Sequence, residues 1–170
     1  MSIQILRSRI NRDDIPEITA WVEEMWGGNP IVVHLDTYKL DKLPGFKAQM
    51  DDELVGFLHY EIRDDGCETL TLVSMREGRG VESALIQAVE DLARAHGCRR
   101  PHLITTNDNL HALGFYPCLG FHLSRLFPGC VAQSRQMKPS IPLVGDGGIP
   151  IRAEIQLEKI LLEGNSEETR

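Results

Sequence analysis

The sequence predicts an α/β fold in which a central mixed, mostly antiparallel sheet of six or seven strands is flanked by helices. Three strand-like runs follow one another between residues 46 and 75 with only short polar turns between them, which is typical of antiparallel pairing. Helical patterns then alternate with further strand-like runs, which is typical of crossover connections. The 170-residue length fits one domain, which we assign to residues 1–163, followed by a polar tail at 164–170.

Composition and charge argue against several classes of protein. Lys and Arg number 18 against 25 Asp and Glu, so the net charge is −7 and binding to a nucleic-acid backbone is disfavoured. No apolar stretch is long enough to span a membrane, and the start MSIQILRSRI has no signal-peptide core. We therefore expect a cytoplasmic protein with no nucleic-acid or membrane partner. The 4 cysteines and 6 histidines show no spacing typical of metal sites, so we predict no metal.

The first elements are a short strand at residues 2–7 and a helix. Apolar residues recur at helical spacing after a cluster of capping residues at 11–14, and a glycine pair ends the helix. Because Trp21 and Trp26 share that spacing, we expect them in the core rather than at a substrate site. Residues 29–44 are irregular and are interpreted as a loop with at most one short helical turn.

The next segment has the period-two pattern of consecutive antiparallel strands. Residues 46–50 and 54–62 form a predicted hairpin around an acidic turn. A third strand at 68–75 is rich in β-branched residues.

A glycine loop precedes the clearest helix of the sequence. Residues 76–80 read REGRG, and apolar residues then keep helical spacing from Val81 until Gly97. Glycines let the backbone approach a diphosphate closely, and the N-terminus of the helix presents unpaired N–H groups to it. The loop is neither a nucleotide P-loop nor the full dinucleotide fingerprint, so this signal alone is weak.

The remainder of the chain predicts a second strand and helix, followed by two more strands. A strand at 102–106 leads into the capping cluster 107–109 and a short helix. Further strands are predicted at 121–126 and 154–161. The Pro- and Gly-rich connection 128–150 is too long to be a plain linker in a compact domain, so we expect it to be functional.

Two of these segments resemble the GNAT superfamily of acyl-CoA-dependent N-acetyltransferases. Residues 77–82, EGRGVE, resemble that family's Q/R-x-x-G-x-G/A loop, and residues 109–121, NLHALGFYPCLGF, resemble its N-x-x-A-x-x-F-Y-x-x-x-G-F segment. The specific resemblance covers about residues 66–122. It implies a GNAT-like sheet that is split near residues 75 and 106 to admit acetyl-CoA as the acyl donor.

The resemblance also implies a set of site residues. The pyrophosphate cradle would be formed by Gly78, Arg79, Gly80, Val81, Glu82 and Ser83. The pantetheine arm would lie along the main chain of Leu72, Val73, Ser74 and Met75, with Asn109 on its other side. Tyr116 falls where many members keep a tyrosine that protonates the departing thiolate, and a phenol is protonated at neutral pH.

Four residues depart from the family's pattern. Glu77 and Glu82 place two carboxylates beside the proposed pyrophosphate, where like charges repel. Pro117 and Gly114 weaken the predicted helix that carries Tyr116.

The general base is the least defined role. Glu68, on the strand before the glycine loop, is the first candidate, with His59 and Glu61 in reserve because they face one side of one strand. A chain of water molecules is the alternative to a side-chain base.

The function that follows from the resemblance is transfer of an acetyl group from acetyl-CoA to a primary amine of a small molecule or peptide by direct attack, without a metal. Acceptor pockets in this family are built from segments that here are residues 27–44 and 128–150. Two alternatives stay open: a noncatalytic acyl-CoA sensor, consistent with Glu77 and Glu82, and an interaction domain without a ligand. A homodimer is also left open.

Overall fold

The computed structural model describes residues 5–64 and 66–161. The helices and strands in chain order are β1 (Leu6–Arg9), α1 (Ile15–Trp26), β2 (Ile31–Val33), β3 (Asp36–Tyr38), β4 (Gly45–Met50), β5 (Glu53–Arg63), β6 (Gly66–Ser74), α2 (Val81–Ala95), β7 (Arg100–Thr106), α3 (Leu110–Cys118), β8 (His122–Pro128), α4 (Cys130–Met137) and β9 (Ala153–Glu158). Within the described residues, no helix is long and apolar enough to cross a membrane.

Seven strands form one sheet, in the order β1-β4-β5-β6-β7-β9-β8. Every neighbouring pair is antiparallel except β6 and β7, which are parallel and are joined by the crossover helix α2. The predicted mixed, mostly antiparallel sheet with flanking helices is therefore confirmed.

The elements depart from the prediction in two connecting segments. The segment 29–44 contains the hairpin β2–β3 and a short 3-10 turn, where a loop was expected. The connection 128–150 contains α4, which the sequence analysis did not predict. The first strand was predicted at 2–7, and β1 begins at Leu6 and ends at Arg9. Residues 2–4 of the predicted strand and the predicted tail 164–170 lie outside the described residues.

The decisive irregularity of the sheet is an extra residue in β6. His59 on β5 pairs with Thr71 and the next residue, Tyr60, pairs with Thr69, so Leu70 has no partner on β5. Such a bulge bends its strand and increases the local twist. The parallel pairing of β6 with β7 runs only as far as Thr69 and Leu103, and the two strands separate beyond it. The split therefore begins earlier along both strands than the expected positions 75 and 106.

The two faces of the sheet have separate apolar cores. On one face, α2 and α3 pack over the central strands, with Leu85, Val89, Leu58, Leu103 and Tyr116 among the buried residues. On the other face, the core is formed with α1 and the hairpin β2–β3, and its buried residues include Ile18, Val22, Ile31, Phe57 and Val73. The packing of α1, α2 and α3 on the sheet therefore fixes the positions of these helices around the split.

The start of α2 lies unusually close to β5. A Cβ atom on Gly56 would lie 2.5 Å from Val81 Cγ1 and 2.7 Å from the carbonyl oxygen of Val73. Only a residue without a side chain allows this approach. Gly56 therefore sets the height of the α2 N-terminus above the sheet.

We predict that Gly56→Ala lowers the free energy of unfolding by about 1–3 kcal/mol, because overpacking must displace α2 or β6. Gly114→Ala is the matched control, since its added methyl group, on the exposed face of α3, would meet no atom within 4 Å among the described residues outside its chain neighbours and the adjacent helix backbone. The control should be neutral or slightly stabilising. Urea unfolding compares the two variants, and equal stabilities would show that Gly56 does not determine the position of α2.

Candidate active site

Two adjoining clefts open where β6 and β7 separate. The smaller one, about 180 Å³, is bounded by β6, β7 and α3. The larger one, about 660 Å³, lies on the α1 side and is of the size usual for small-molecule sites. The residues common to both clefts are Trp26, Leu70, Thr71, Ile104, Thr105 and Asn109. The two clefts therefore share part of their walls.

Trp26 was expected in the core, and this expectation was wrong. Its side chain lies at the end of α1, is 40% exposed, and lines both clefts. Trp21 is partly buried against the core on the α1 face, as predicted. Helical spacing places both residues on α1 but does not reveal that the helix ends at the edge of a cleft.

The glycine loop delivers an uncapped helix N-terminus to the split. Gly78 and Gly80 have φ angles of +67° and +78°, a backbone conformation that favours glycine. Gly80 is the N-cap of α2 and, as a glycine, has no side chain with which to cap the helix. The first N–H groups of α2, from Val81 to Ser83, have no acceptor within the helix and carry the positive end of its dipole. This arrangement is suited to binding a phosphate.

The predicted pantetheine strand is only partly turned toward the cleft. Leu72 lines the smaller cleft, whereas Val73 is buried in the core on the α1 face. The backbone N–H of Met75 donates to the Val55 carbonyl at 2.8 Å, and the Ser74 hydroxyl donates to the carbonyl of Arg76 at 3.2 Å. The sequence analysis missed the cleft walls formed by residues 69–71, because the bulge at this point of β6 has no sequence signature.

Asn109 joins the end of β7 to the start of α3. Its Oδ1 accepts from the backbone N–H of Ala112 at 3.0 Å, and its Nδ2 donates to Thr105 Oγ1 at 3.0 Å. The residue caps α3, as the sequence predicts, and it also lines both clefts.

Asn107 and Asp108 fasten the connection that follows α4. Asn107 Oδ1 accepts from the backbone N–H groups of Arg152 and Ala153 at 2.9 and 3.0 Å. Asp108 Oδ2 accepts from the backbone N–H of Asp146 at 3.3 Å. The connection is therefore held against the end of β7, where it supplies part of the wall of the larger cleft.

Tyr116 lies in the smaller cleft with its ring in the core. The side chain packs edge-on against Phe115 and Phe121, with ring centroids 5.2 and 5.4 Å away. The residue is 6% exposed, and burial together with the charge of Glu82 raises the pKa of the phenol well above its ordinary value. Tyr116 therefore stays protonated at neutral pH. Pro117 does not end α3, which continues to Cys118.

The side chain of Glu82 points across the mouth of the split toward α3. Both of its carboxylate oxygens accept from Nε2 of His111 at 3.1 Å. The carboxylate is thus neither directed away into solvent nor folded onto the glycine loop. It links the start of α2 to the start of α3, the helix that bounds the smaller cleft.

The candidate bases do not line either cleft. Glu68 Oε2 lies 3.7 Å from Nε2 of His102, at the start of β6 where the strands are still paired. Glu61 accepts from Arg63 Nε at 2.8 Å and from the Tyr38 hydroxyl at 3.2 Å. The ring of His59 lies 2.8 Å from the Thr71 hydroxyl, and burial lowers its pKa to about 4, so it is neutral at pH 7.

The larger cleft is acidic. Among the described residues on its walls, the ionisable side chains are those of Asp108, Asp146, Glu154 and Lys138. Lys138 Nζ donates to the carbonyl oxygens of Gly28 and Pro30 at 3.0 and 3.1 Å, which ties α4 to the segment after α1. Three carboxylates against one ammonium group favour a cationic ligand.

One polar atom of this cleft has no partner. Ser134, on the face of α4 that lines the cleft, is 2% exposed, and its hydroxyl has no hydrogen-bond partner within the described part of the chain. Buried polar groups are nearly always hydrogen-bonded, so an orphan hydroxyl in a cleft wall is a candidate contact for a bound molecule.

Comparison with known proteins agrees with this geometry. Residues 12–121 match the Acetyltransferase (GNAT) family. This matched range includes the split, the glycine loop and Tyr116. The chain is 40% identical over 145 residues to the uncharacterised protein YxbD of Bacillus subtilis, covering 85% of this chain and 91% of that protein. It is also 29% identical over 129 residues to the aminoglycoside N(6')-acetyltransferase type 1 of Salmonella typhimurium, covering 66% and 88%.

A solved structure has the same fold. A Bacillus subtilis acetyltransferase in complex with CoA superposes with a TM-score of 0.66 at 17% identity, covering 94% of this chain and 99% of that one. The two proteins therefore share one fold. The chain belongs to the GNAT acetyltransferase family.

We predict that Glu82→Gln tightens acetyl-CoA binding about two- to fivefold at low salt, because it removes a negative charge beside the anion-binding start of α2. Asp91→Asn, which makes the same charge change near the far end of α2, is the control and should leave binding unchanged. Calorimetric titration measures both. Weaker binding of acetyl-CoA by Glu82→Gln would contradict this prediction. It would mean that the contact between Glu82 and His111 contributes more to acetyl-CoA binding than the repulsion by the Glu82 carboxylate opposes it.

Proposed function

We propose that this protein transfers an acetyl group from acetyl-CoA to a primary amine of a small molecule or peptide. The observation that carries the proposal is the pair of contiguous clefts at the split between β6 and β7. One is narrow and is lined by β6, β7 and Tyr116 of α3, and the other is wide and acidic.

The cofactor half of the proposal rests on the split and on α2. The pyrophosphate would be bound by backbone N–H groups at the start of α2, with Gly78 and Gly80 shaping the approach and Arg79 exposed beside it. The pantetheine arm would lie in the smaller cleft between Leu72 and Asn109. A CoA complex of a structure with the same fold supports this placement.

The acceptor half rests on the larger cleft. An ammonium group is attracted by Asp108 and Asp146, and the orphan hydroxyl of Ser134 offers a further hydrogen bond. The similarity to an aminoglycoside acetyltransferase supports an acceptor with several amines. A sensor that only binds acyl-CoA would not need this second cleft, which favours transfer over sensing.

The reaction needs a neutral amine and a protonated leaving group. The amine lone pair attacks the thioester carbonyl carbon, and the C–S bond breaks as the tetrahedral intermediate collapses. Tyr116 would donate its phenolic proton to the CoA thiolate, since its raised pKa keeps it protonated. The nitrogen of the tetrahedral intermediate would lose its extra proton to water in the open larger cleft, because Glu68, Glu61 and His59 do not reach it. A proton from water would then restore the Tyr116 phenol.

We predict that Tyr116→Phe lowers kcat about 10²- to 10⁴-fold with little change in acetyl-CoA affinity, because the ring is kept and the proton donor is lost. Tyr60→Phe is the control, since Tyr60 is another buried tyrosine and its hydroxyl accepts from Arg9. Steady-state kinetics with detection of released thiol measures both variants. Equal turnover by the two would reduce Tyr116 to a packing residue.

We predict that cationic amines are the preferred acceptors in a thiol-release screen of polyamines, aminoglycosides and peptide N-termini. Asp146→Asn should raise their KM about two- to fivefold, the effect of an exposed ion pair worth up to about 1 kcal/mol, and should spare the KM for acetyl-CoA. Asp91→Asn again serves as the control. No thiol release above hydrolysis with any amine would contradict the proposed function.

A further inference from the structure

Three side chains with metal-binding atoms meet at the rim of the larger cleft. They are His34 from the β2–β3 turn, Cys130 from the first position of α4, and Glu154 from β9. His34 Nδ1 lies 3.0 Å from Glu154 Oε2 and 3.7 Å from Cys130 Sγ. The three ligand atoms lie within 4.8 Å of one another.

The two distances from His34 Nδ1 fit the edges of a tetrahedral coordination sphere. With zinc-to-ligand distances of about 2.0 Å for nitrogen and oxygen and about 2.3 Å for sulfur, the N–O and N–S edges are about 3.3 and 3.6 Å. The corresponding distances here are 3.0 and 3.7 Å. The thiol and the carboxylate both approach the same ring nitrogen of His34, so the imidazole cannot relay a proton between them as in a nucleophilic triad.

The positions of the three side chains are fixed independently of any ion. His34 and Leu35 form the β2–β3 turn with φ angles of 47° and 69°, which non-glycine residues seldom adopt. The backbone N–H of His34 donates to Glu154 Oε1 at 3.3 Å, and the ring packs on Phe127 with centroids 4.1 Å apart. Cys130 and Glu154 are buried, with exposures of 6% each.

We propose that His34, Cys130 and Glu154 bind a divalent transition metal ion of the zinc class. A thiolate, a carboxylate and a neutral imidazole carry two negative charges, which match the charge of the ion, and this donor set is suited to zinc. On binding, Cys130 gives its thiol proton to solvent and the ring of His34 keeps its proton on Nε2. Three protein ligands leave a fourth position for water or for an acceptor group.

The ion would join the walls of the acceptor cleft. β2 contributes Ile31–Val33 to these walls, α4 contributes Val131 and Ser134, and β9 contributes Glu154 itself. A bond from each of these three elements to one ion restrains them against one another. The metal therefore orders the acceptor cleft and leaves the acyl-CoA side unchanged.

This proposal departs from the prediction of no metal made from the sequence. That prediction was based on the absence of closely spaced ligand residues in the sequence. The three ligands are instead far apart in the chain: Cys130 follows His34 by 96 residues, and Glu154 follows Cys130 by 24. They meet only because α4 and the β2–β3 hairpin both pack beside β9.

The test is titration of the purified, chelator-treated protein with Co²⁺, in a phosphine reductant so that all thiols stay reduced. We expect one equivalent of cobalt to produce a thiolate-to-cobalt charge-transfer band, with visible absorption typical of tetrahedral coordination, and Zn²⁺ to displace it. Cys130→Ser should abolish the charge-transfer band. Cys118→Ser, which removes an exposed cysteine outside the cluster, should retain it.

A second variant guards against misfolding of Cys130→Ser. His34→Asn keeps a residue type that tolerates the left-handed turn, and it should weaken cobalt binding more than the 10- to 100-fold typical of losing an outer-shell partner. Zn²⁺ should also raise the melting temperature of the native chain and raise it less in His34→Asn. No charge-transfer band in the native chain, or an equal band in Cys130→Ser, would overturn the proposal. Because none of these readouts involves acetyl transfer, their failure is distinct from failure of the proposed function.

Discussion

The separation of β6 from β7 is the feature on which the rest of the site depends. Strands that part inside a sheet leave backbone N–H and C=O groups unpaired, and buried groups of this kind need partners. Beyond Thr69 and Leu103 the facing edges of the two strands are free to pair with an extended ligand, as an added strand would. The separated ends of β6 and β7 remain part of the sheet, because β6 stays paired with β5 to Ser74 and β7 stays paired with β9 to Thr106.

The helices and connections around the split convert this gap into two different sites. On one side, Gly56 lets α2 approach the sheet, so that its uncapped N-terminus lies at the end of β6. On the other side, Asn107 and Asp108 at the end of β7 hold the connection after α4 by hydrogen bonds. One half of the site is thus built from backbone groups for an anion, and the other from carboxylates for a cation.

The sequence was most informative where local patterns determine structure. The hairpin β4–β5, the helix α2 and the cap Asn109 follow from alternation, helical spacing and side-chain chemistry within a few residues. The hairpin β2–β3 was missed because its turn residues, His34 and Leu35, are not the Asn-Gly type that marks such turns. The bulge at Leu70 depends on pairing with a distant strand, so the position of the split and the walls of both clefts could not be predicted from local sequence.

The measurement that tests the central claim most directly is amide hydrogen exchange with and without acetyl-CoA. If the split between β6 and β7 holds the cofactor, exchange should slow in residues 70–75, at the start of α2 and in residues 104–109, and should stay unchanged in β1 and β4. Protection confined to other parts of the chain, with none along β6 and β7, would contradict the account.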